Sequence, residues 1–140
     1  MEQQKLKLIR RLVGAVSDEQ LRHVDAYVGQ TLGVFIPVTG PCYYSITPDH
    51  THPAYMFIYA FDTDCVTVIK GKKYHSLAGQ LHALSPHILH HELQEEKQAH
   101  YIAIMIEARY FERIFGLYGA AVPRYTGEAY APKKDLLPIL

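Results

Sequence analysis

The run His50-Thr51-His52-Pro53-Ala54-Tyr55-Met56-Phe57-Ile58-Tyr59-Ala60-Phe61 reads as a strand entered through a pair of histidines. In extended chain, residues i and i+2 project to one face, so the imidazoles of His50 and His52 can aim at one centre. If His52 points inward, alternation sends Ala54, Met56, Ile58 and Ala60 inward as well. Tyr55, Phe57 and Tyr59 are then left for an outer face and whatever helices cover it. Two alanines on the inner face leave room for a ligand.

Outward from this run the texture repeats. Val34–Val38, Tyr43–Thr47, Cys65–Lys70, Lys73–Ser76, Gln80–Leu84, Ile88–Leu93 and His100–Ile106 are short runs rich in β-branched and aromatic residues. Turn residues separate them: Thr39-Gly40-Pro41, Pro48-Asp49, Asp62-Thr63-Asp64, Lys70-Gly71-Lys72, Ala78-Gly79 and Ser85-Pro86. Such spacing predicts an antiparallel sandwich or barrel. No helix fits between the runs, which excludes a parallel sheet.

The flanks have helical period. Leu6, Ile9, Leu12, Val13 and Val16 recur at spacings of three and four. Ser17 followed by Gln20 has the form of a capping box, predicting a second helix with Leu21, Val24 and Val28 on one face and an end at Gly29 to Gly33. Phe111, Ile114, Phe115 and Tyr118 form a stripe on a third. Pro123 to Pro132 reads as an extended linker. The apolar finish Asp135-Leu136-Leu137-Pro138-Ile139-Leu140 suggests a chain that continues in a longer parent. The expected organisation is a helical segment over 1–33, a β-barrel over 34–107, a helix over 108–119 and a linker over 120–140.

Composition narrows the function. Fourteen Lys plus Arg balance fourteen Asp plus Glu in 140 residues, which argues against a domain that grips nucleic acid by neutralising phosphates. No apolar run has the length of a membrane span, and the N-terminus is too charged for a signal peptide. Cys42 and Cys65 lie in apolar stretches and suggest reduced thiols in a cytoplasmic protein. Nine His and eleven Tyr without any Trp suit a small-molecule pocket.

Imidazole is the commonest ligand for borderline transition metals, and a second histidine group, His87, His90 and His91, follows Ser85-Pro86. If the strands close on themselves, His50, His52 and one of His90 or His91 make a three-nitrogen set. The alternative is that these histidines hydrogen-bond within a polar pocket. Glu92, Glu95 and Glu96 with Lys97 read as a solvated hairpin loop. No nucleophile with a recognisable base is present.

The order of these elements, His50-Thr51-His52, Gly71, Gly79-Gln80-Leu81, Pro86 and His90-His91, resembles the two motifs of the cupin barrel. More closely it resembles the N-terminal cupin-like effector-binding domain of AraC-family transcription regulators, over about Gly40 to Tyr118. The resemblance implies an α+β, mainly β chain: a cupin-like antiparallel β-barrel of jelly-roll type flanked by N-terminal and C-terminal helices. Counting from Pro86, the second motif's histidine falls on His91. The metal-binding pattern also wants a Glu separated from the second His by three or four residues, where Met56 and Phe57 stand.

Three neutral imidazoles can hold zinc, but the missing carboxylate favours an organic effector over a catalytic iron. The expected ligand-binding residues are therefore His50, His52, Ala54, Met56, His91 and Tyr44. His50, His52 and His91 form the candidate metal set, with no cofactor required and no enzymatic activity. The expected partners are a small-molecule effector, a second copy in a homodimer, and DNA only through a C-terminal domain outside this chain. A small metal-dependent cupin enzyme, an isomerase or dioxygenase, is the alternative.

Overall fold

The computed structural model describes residues 2–22, 24–37, 49–62, 64–93 and 101–132. The helices are α1 (Gln3–Val13), α2 (Asp18–Leu21) and α3 (Ala108–Leu117). The strands are β1 (Val24–Val28), β2 (Leu32–Pro37), β3 (Ala54–Ala60), β4 (Cys65–Ile69), β5 (Lys72–Ser76), β6 (Leu81–Leu84), β7 (His91–Leu93), β8 (Tyr101–Glu107) and β9 (Thr126–Tyr130). They form a six-stranded antiparallel sheet, ordered β1-β2-β8-β3-β6-β9, and a three-stranded one, β5-β4-β7. No ladder joins the two sheets among the described residues. They face each other as an open sandwich, where a closed barrel is expected from the sequence.

Ile9, Leu12 and Val13 bury the stripe of α1, and Val16 just beyond it joins them, in one core with Phe35, Ala54, Met56, Ile58, Leu84 and Met105. α1 crosses β2 at Gly33, where a Cβ would come within 2.7 Å of Leu12 Cδ1. Only glycine allows that approach. Ser17 and Gln20 make the capping box in full: Gln20 N–H donates to Ser17 Oγ at 3.2 Å, and Ser17 N–H donates to Gln20 Oε1 at 2.8 Å.

Two elements differ from expectation. The helix begun at Asp18 ends at Leu21, and Val24–Val28 is strand β1, paired along its length with β2. Leu21, Val24 and Val28 fit a helical stripe, but Val24, Ala26 and Val28 equally alternate with exposed Asp25 and Tyr27. Pairing with β2 decides between the two periods. The stretch read as linker carries β9, which extends the large sheet beyond β6. Tyr43–Thr47, and with it Tyr44, lies outside the described residues, as does the chain after Pro132.

On β3 the inner residues Ala54, Met56, Ile58 and Ala60 are buried, and Tyr55 and Phe57 meet α3 on the outer face. Phe111 stacks on Tyr55 with ring centroids 4.1 Å apart, while Leu117 and Tyr118 at the helix end are exposed. Gly127 on β9 touches the small sheet. It has φ +106°, and a Cβ there would lie 2.5 Å from Ile69 Cδ1 and 3.2 Å from Tyr74 Cγ. Gly127→Ala is therefore expected to cost about 1–3 kcal/mol, read as a lower urea midpoint. An unchanged midpoint would mean that β9 does not pack against the small sheet.

Candidate metal centre

Two short extended stretches build the centre. His50 and His90 form an antiparallel bridge: His50 N–H donates to His90 O at 2.8 Å, and His90 N–H donates to His50 O at 3.0 Å. His87 N–H donates to His52 O at 2.8 Å and continues the pairing. Residues opposite each other in such a pair project to the same side, and so do i and i+2. His50 and His52 on one stretch therefore share a face with His90 and Glu92 on the other. The three imidazoles lie with ring centroids 4.5 to 5.1 Å apart, and one nitrogen of each falls within 4.8 Å of the others. Glu92 approaches from the same side, its carboxylate 3.7 Å from His50 Nε2 and 3.6 Å from His90 Nε2.

The same register places His91 on the other face, opposite Asp49. There its Nδ1 pairs with Asp49 Oδ1 at 2.8 Å. The third histidine of the cluster is His90, where counting from Pro86 gives His91. Glu92, read from sequence as part of a solvated loop, is the carboxylate beside the cluster. It stands on a different strand from the place where the motif puts its glutamate, so a search after His52 misses it. The alternation His90-x-Glu92 facing His50-x-His52 is the signal that finds it, once the register is known. Of the other expected residues, Met56 lines the pocket beside the cluster and Ala54 packs in the core.

The surroundings prepare these side chains to be ligands. His52 Nδ1–H donates to the Val13 carbonyl at 2.7 Å, and His90 Nδ1–H donates to the Ile88 carbonyl at 2.7 Å. A backbone acceptor on Nδ1 fixes the tautomer whose Nε2 carries a lone pair. His90 Nε2 and Glu92 Oε2 are buried without a hydrogen bond among the described residues. Burial lowers the His52 pKa to about 4, with His50 adding to the effect and the Val13 bond opposing it. Burial lowers that of His90 to about 3, against its bond to Ile88 and with His52, His50 and His82 reinforcing it. Both are neutral near pH 7, the form that binds metal. Burial raises the pKa of the Glu92 carboxyl, and His50 draws it back.

Three neutral imidazoles and one carboxylate are a donor set for a borderline divalent ion such as zinc, iron or manganese. A dication suits the buried lone pairs and supplies the positive charge that the Glu92 carboxylate lacks. Beside the cluster an apolar pocket opens between the large sheet and the first two helices. His52 and Glu92 stand on its wall, with Val13, Phe35, Met56 and Met105 among the apolar residues.

No family model matches the sequence, and no curated protein matches it as a relative. Solved structures do resemble the fold. A Neisseria meningitidis protein is 12% identical with a TM-score of 0.49, over 61% of this chain and 84% of that one. A Cupin 2 conserved barrel domain protein from Salinispora arenicola is 16% identical with a TM-score of 0.46, over 74% and 95%. Oxalate decarboxylase from Bacillus subtilis, an enzyme with Mn(II) centres, is 12% identical with a TM-score of 0.39, over 74% of this chain and 34% of that one. The neighbours thus include cupin-barrel proteins. Among the described residues, no helix is long and apolar enough to cross a membrane.

Acid should unfold the metal-free protein early. His52 and His82 have pKa values lowered to about 4 and His90 to about 3, from 6.5. The unfolded chain therefore binds more protons below about pH 6.5, and stability falls as pH drops through that window. Each imidazole contributes on the order of 3 kcal/mol across it, while Glu92, raised in the fold by burial, works in the opposite sense. Urea midpoints measured from pH 7.5 to 4 are expected to fall. A flat profile would mean that these rings are not held neutral.

Proposed function

We propose that this chain is a metal-anchored small-molecule sensor, the effector-binding part of an AraC-type transcription regulator on a cupin-type fold. His50, His52, His90 and Glu92 would hold a divalent metal, and the metal would anchor a ligand lying in the apolar pocket. The observation that carries this reading is that two members of the four-donor cluster, His52 and Glu92, stand on the wall of a pocket to which the N-terminal helices contribute. Val13 of α1 lines that pocket and accepts the His52 hydrogen bond, and Leu21 of α2 lines it too. Ligand contacts made there bear directly on α1 and α2, as a population shift requires.

The bound metal would supply Lewis acidity and a point of attachment. The chain's residues do the rest: His52 and His90 keep their Nε2 lone pairs inward, and Glu92 offsets part of the dication's charge. A metal-dependent cupin enzyme is the second reading, and Glu92 favours it by restoring the anionic donor absent after His52. In the sensor reading the chain has no turnover, and ligand binding alone shifts the conformation. A homodimer belongs to this proposal, with exposed Leu117 and Tyr118 at the end of α3 among the apolar groups available for contact.

Elemental analysis after metal loading is expected to give one divalent ion per chain. His90→Ala should abolish retention and Glu92→Gln should weaken it about 100-fold, whereas His91→Ala should leave it unchanged. Metal held equally by the His90→Ala and wild-type proteins would overturn the assignment. Two further measurements separate the readings. The parent gene beyond codon 140 is expected to encode helix-turn-helix motifs, and a stop codon there would favour the enzyme. Sedimentation at micromolar concentration should show a species of twice the 16.0 kDa chain mass, and a monomer would remove the dimer from the proposal.

A further inference from the structure

Outside the metal cluster, the only buried side-chain polar atoms without a hydrogen bond among the described residues are Ser76 Oγ and both ring nitrogens of His82. Both residues are 1% exposed. A buried donor left unmade costs about 1–3 kcal/mol, so an interior leucine would be the cheaper occupant of position 82. His82 sits on β6 directly opposite Ile58 of β3, which is opposite Ala103 of β8, itself opposite Phe35 of β2. Those three residues line the pocket, and His82 continues their row by one strand, about 5 Å beyond Ile58. It is also close enough to His90 for the two rings to interact electrostatically. Ser76 lies on the facing small sheet, on the same side of β5 as Tyr74, which packs against the core.

We infer that His82, with Ser76, forms a second polar station in the interior that donates hydrogen bonds to an oxygen on the far end of the metal-anchored ligand. The inference rests on the metal-anchored reading above. A neutral imidazole has one N–H to give and a serine hydroxyl another, so both stations offer donors to an acceptor oxygen. Among the described residues no Lys or Arg lines the pocket, which leaves the metal as the source of positive charge there. A second carboxylate would enter uncompensated, while a carbonyl or ether oxygen would not. The ligand class is therefore a compact monoanion with an apolar span and a neutral oxygen function, such as a keto acid.

The test uses metal-loaded protein and two probes of equal chain length, 4-oxopentanoate and pentanoate, titrated calorimetrically. Wild type is expected to prefer the keto acid by about fivefold, the worth of one hydrogen bond. His82→Leu should erase that preference while retaining one metal per chain, and it should not lower the thermal midpoint of the metal-free protein. Ser76→Ala should reduce the preference without abolishing it. Equal affinities in the wild type, or a preference that survives in His82→Leu, would overturn the inference. Failure of wild type to hold metal at all would instead overturn the metal-anchored reading, and elemental analysis reads that separately.

Discussion

The pairing of His50 with His90 is the constraint on which the centre depends. Two backbone hydrogen bonds set it, and once it is set no freedom remains over which side chains meet. His52 and Glu92 follow from alternation, and Asp49 with His91 follow on the opposite face. A slip of the second stretch by one residue would bring His91 to the face of His50 and His52 and turn His90 and Glu92 away from it. The selectivity of the site for these four donors is thus a property of backbone register before it is one of side-chain chemistry.

That register has an energetic cost which the neighbouring elements absorb. Polar rings placed between two apolar sheets lose their hydration, and the chain returns part of it through the carbonyls of Val13 and Ile88. The Val13 carbonyl is free to serve because it lies at the C-terminal end of α1, where the last carbonyls have no partner within the helix. The helix end and the ligand histidine therefore satisfy each other. Gly33 lets the same helix settle on β2 and so brings its end within reach of His52.

What was legible in the sequence was what depends on neighbours in the chain. The alternation from Ala54 to Ala60 gave the inner and outer faces of β3, and the stripe from Ile9 to Val16 gave the buried side of α1. Ser17 and Gln20 announced their own capping box. The misreadings all concern partners distant in sequence. Val24–Val28 satisfies helical and strand spacing alike, and only β2 selects the strand. Thr126–Tyr130 lies between prolines and becomes a strand because β6 has an open edge for it. Counting from Pro86 selects His91, whereas the ladder partner of His50 is His90, a distinction that lies across the strands rather than along one. Glu92 was hidden for the same reason: a motif read along one strand does not see a carboxylate supplied by the strand opposite.

The contact between His52 and Val13 also bears on how binding would be read elsewhere in the molecule. In the sensor reading proposed above, a ligand drawing on the metal would tilt the imidazole of His52, and the hydrogen bond from its Nδ1 to Val13 would carry the change to the end of α1. Helix ends are where backbone groups exchange partners at least cost, so a small rotation of the ring has a response available there. Phe111 stacked on Tyr55 gives α3 a comparable link to the opposite face of β3, whose inner residue Met56 lines the pocket. α1 thus lines the pocket directly through Val13, and α3 reaches it through Tyr55 and its neighbour Met56. The donor set alone would serve either purpose, and these links to α1 and α3 are what the sensor reading proposed above draws on.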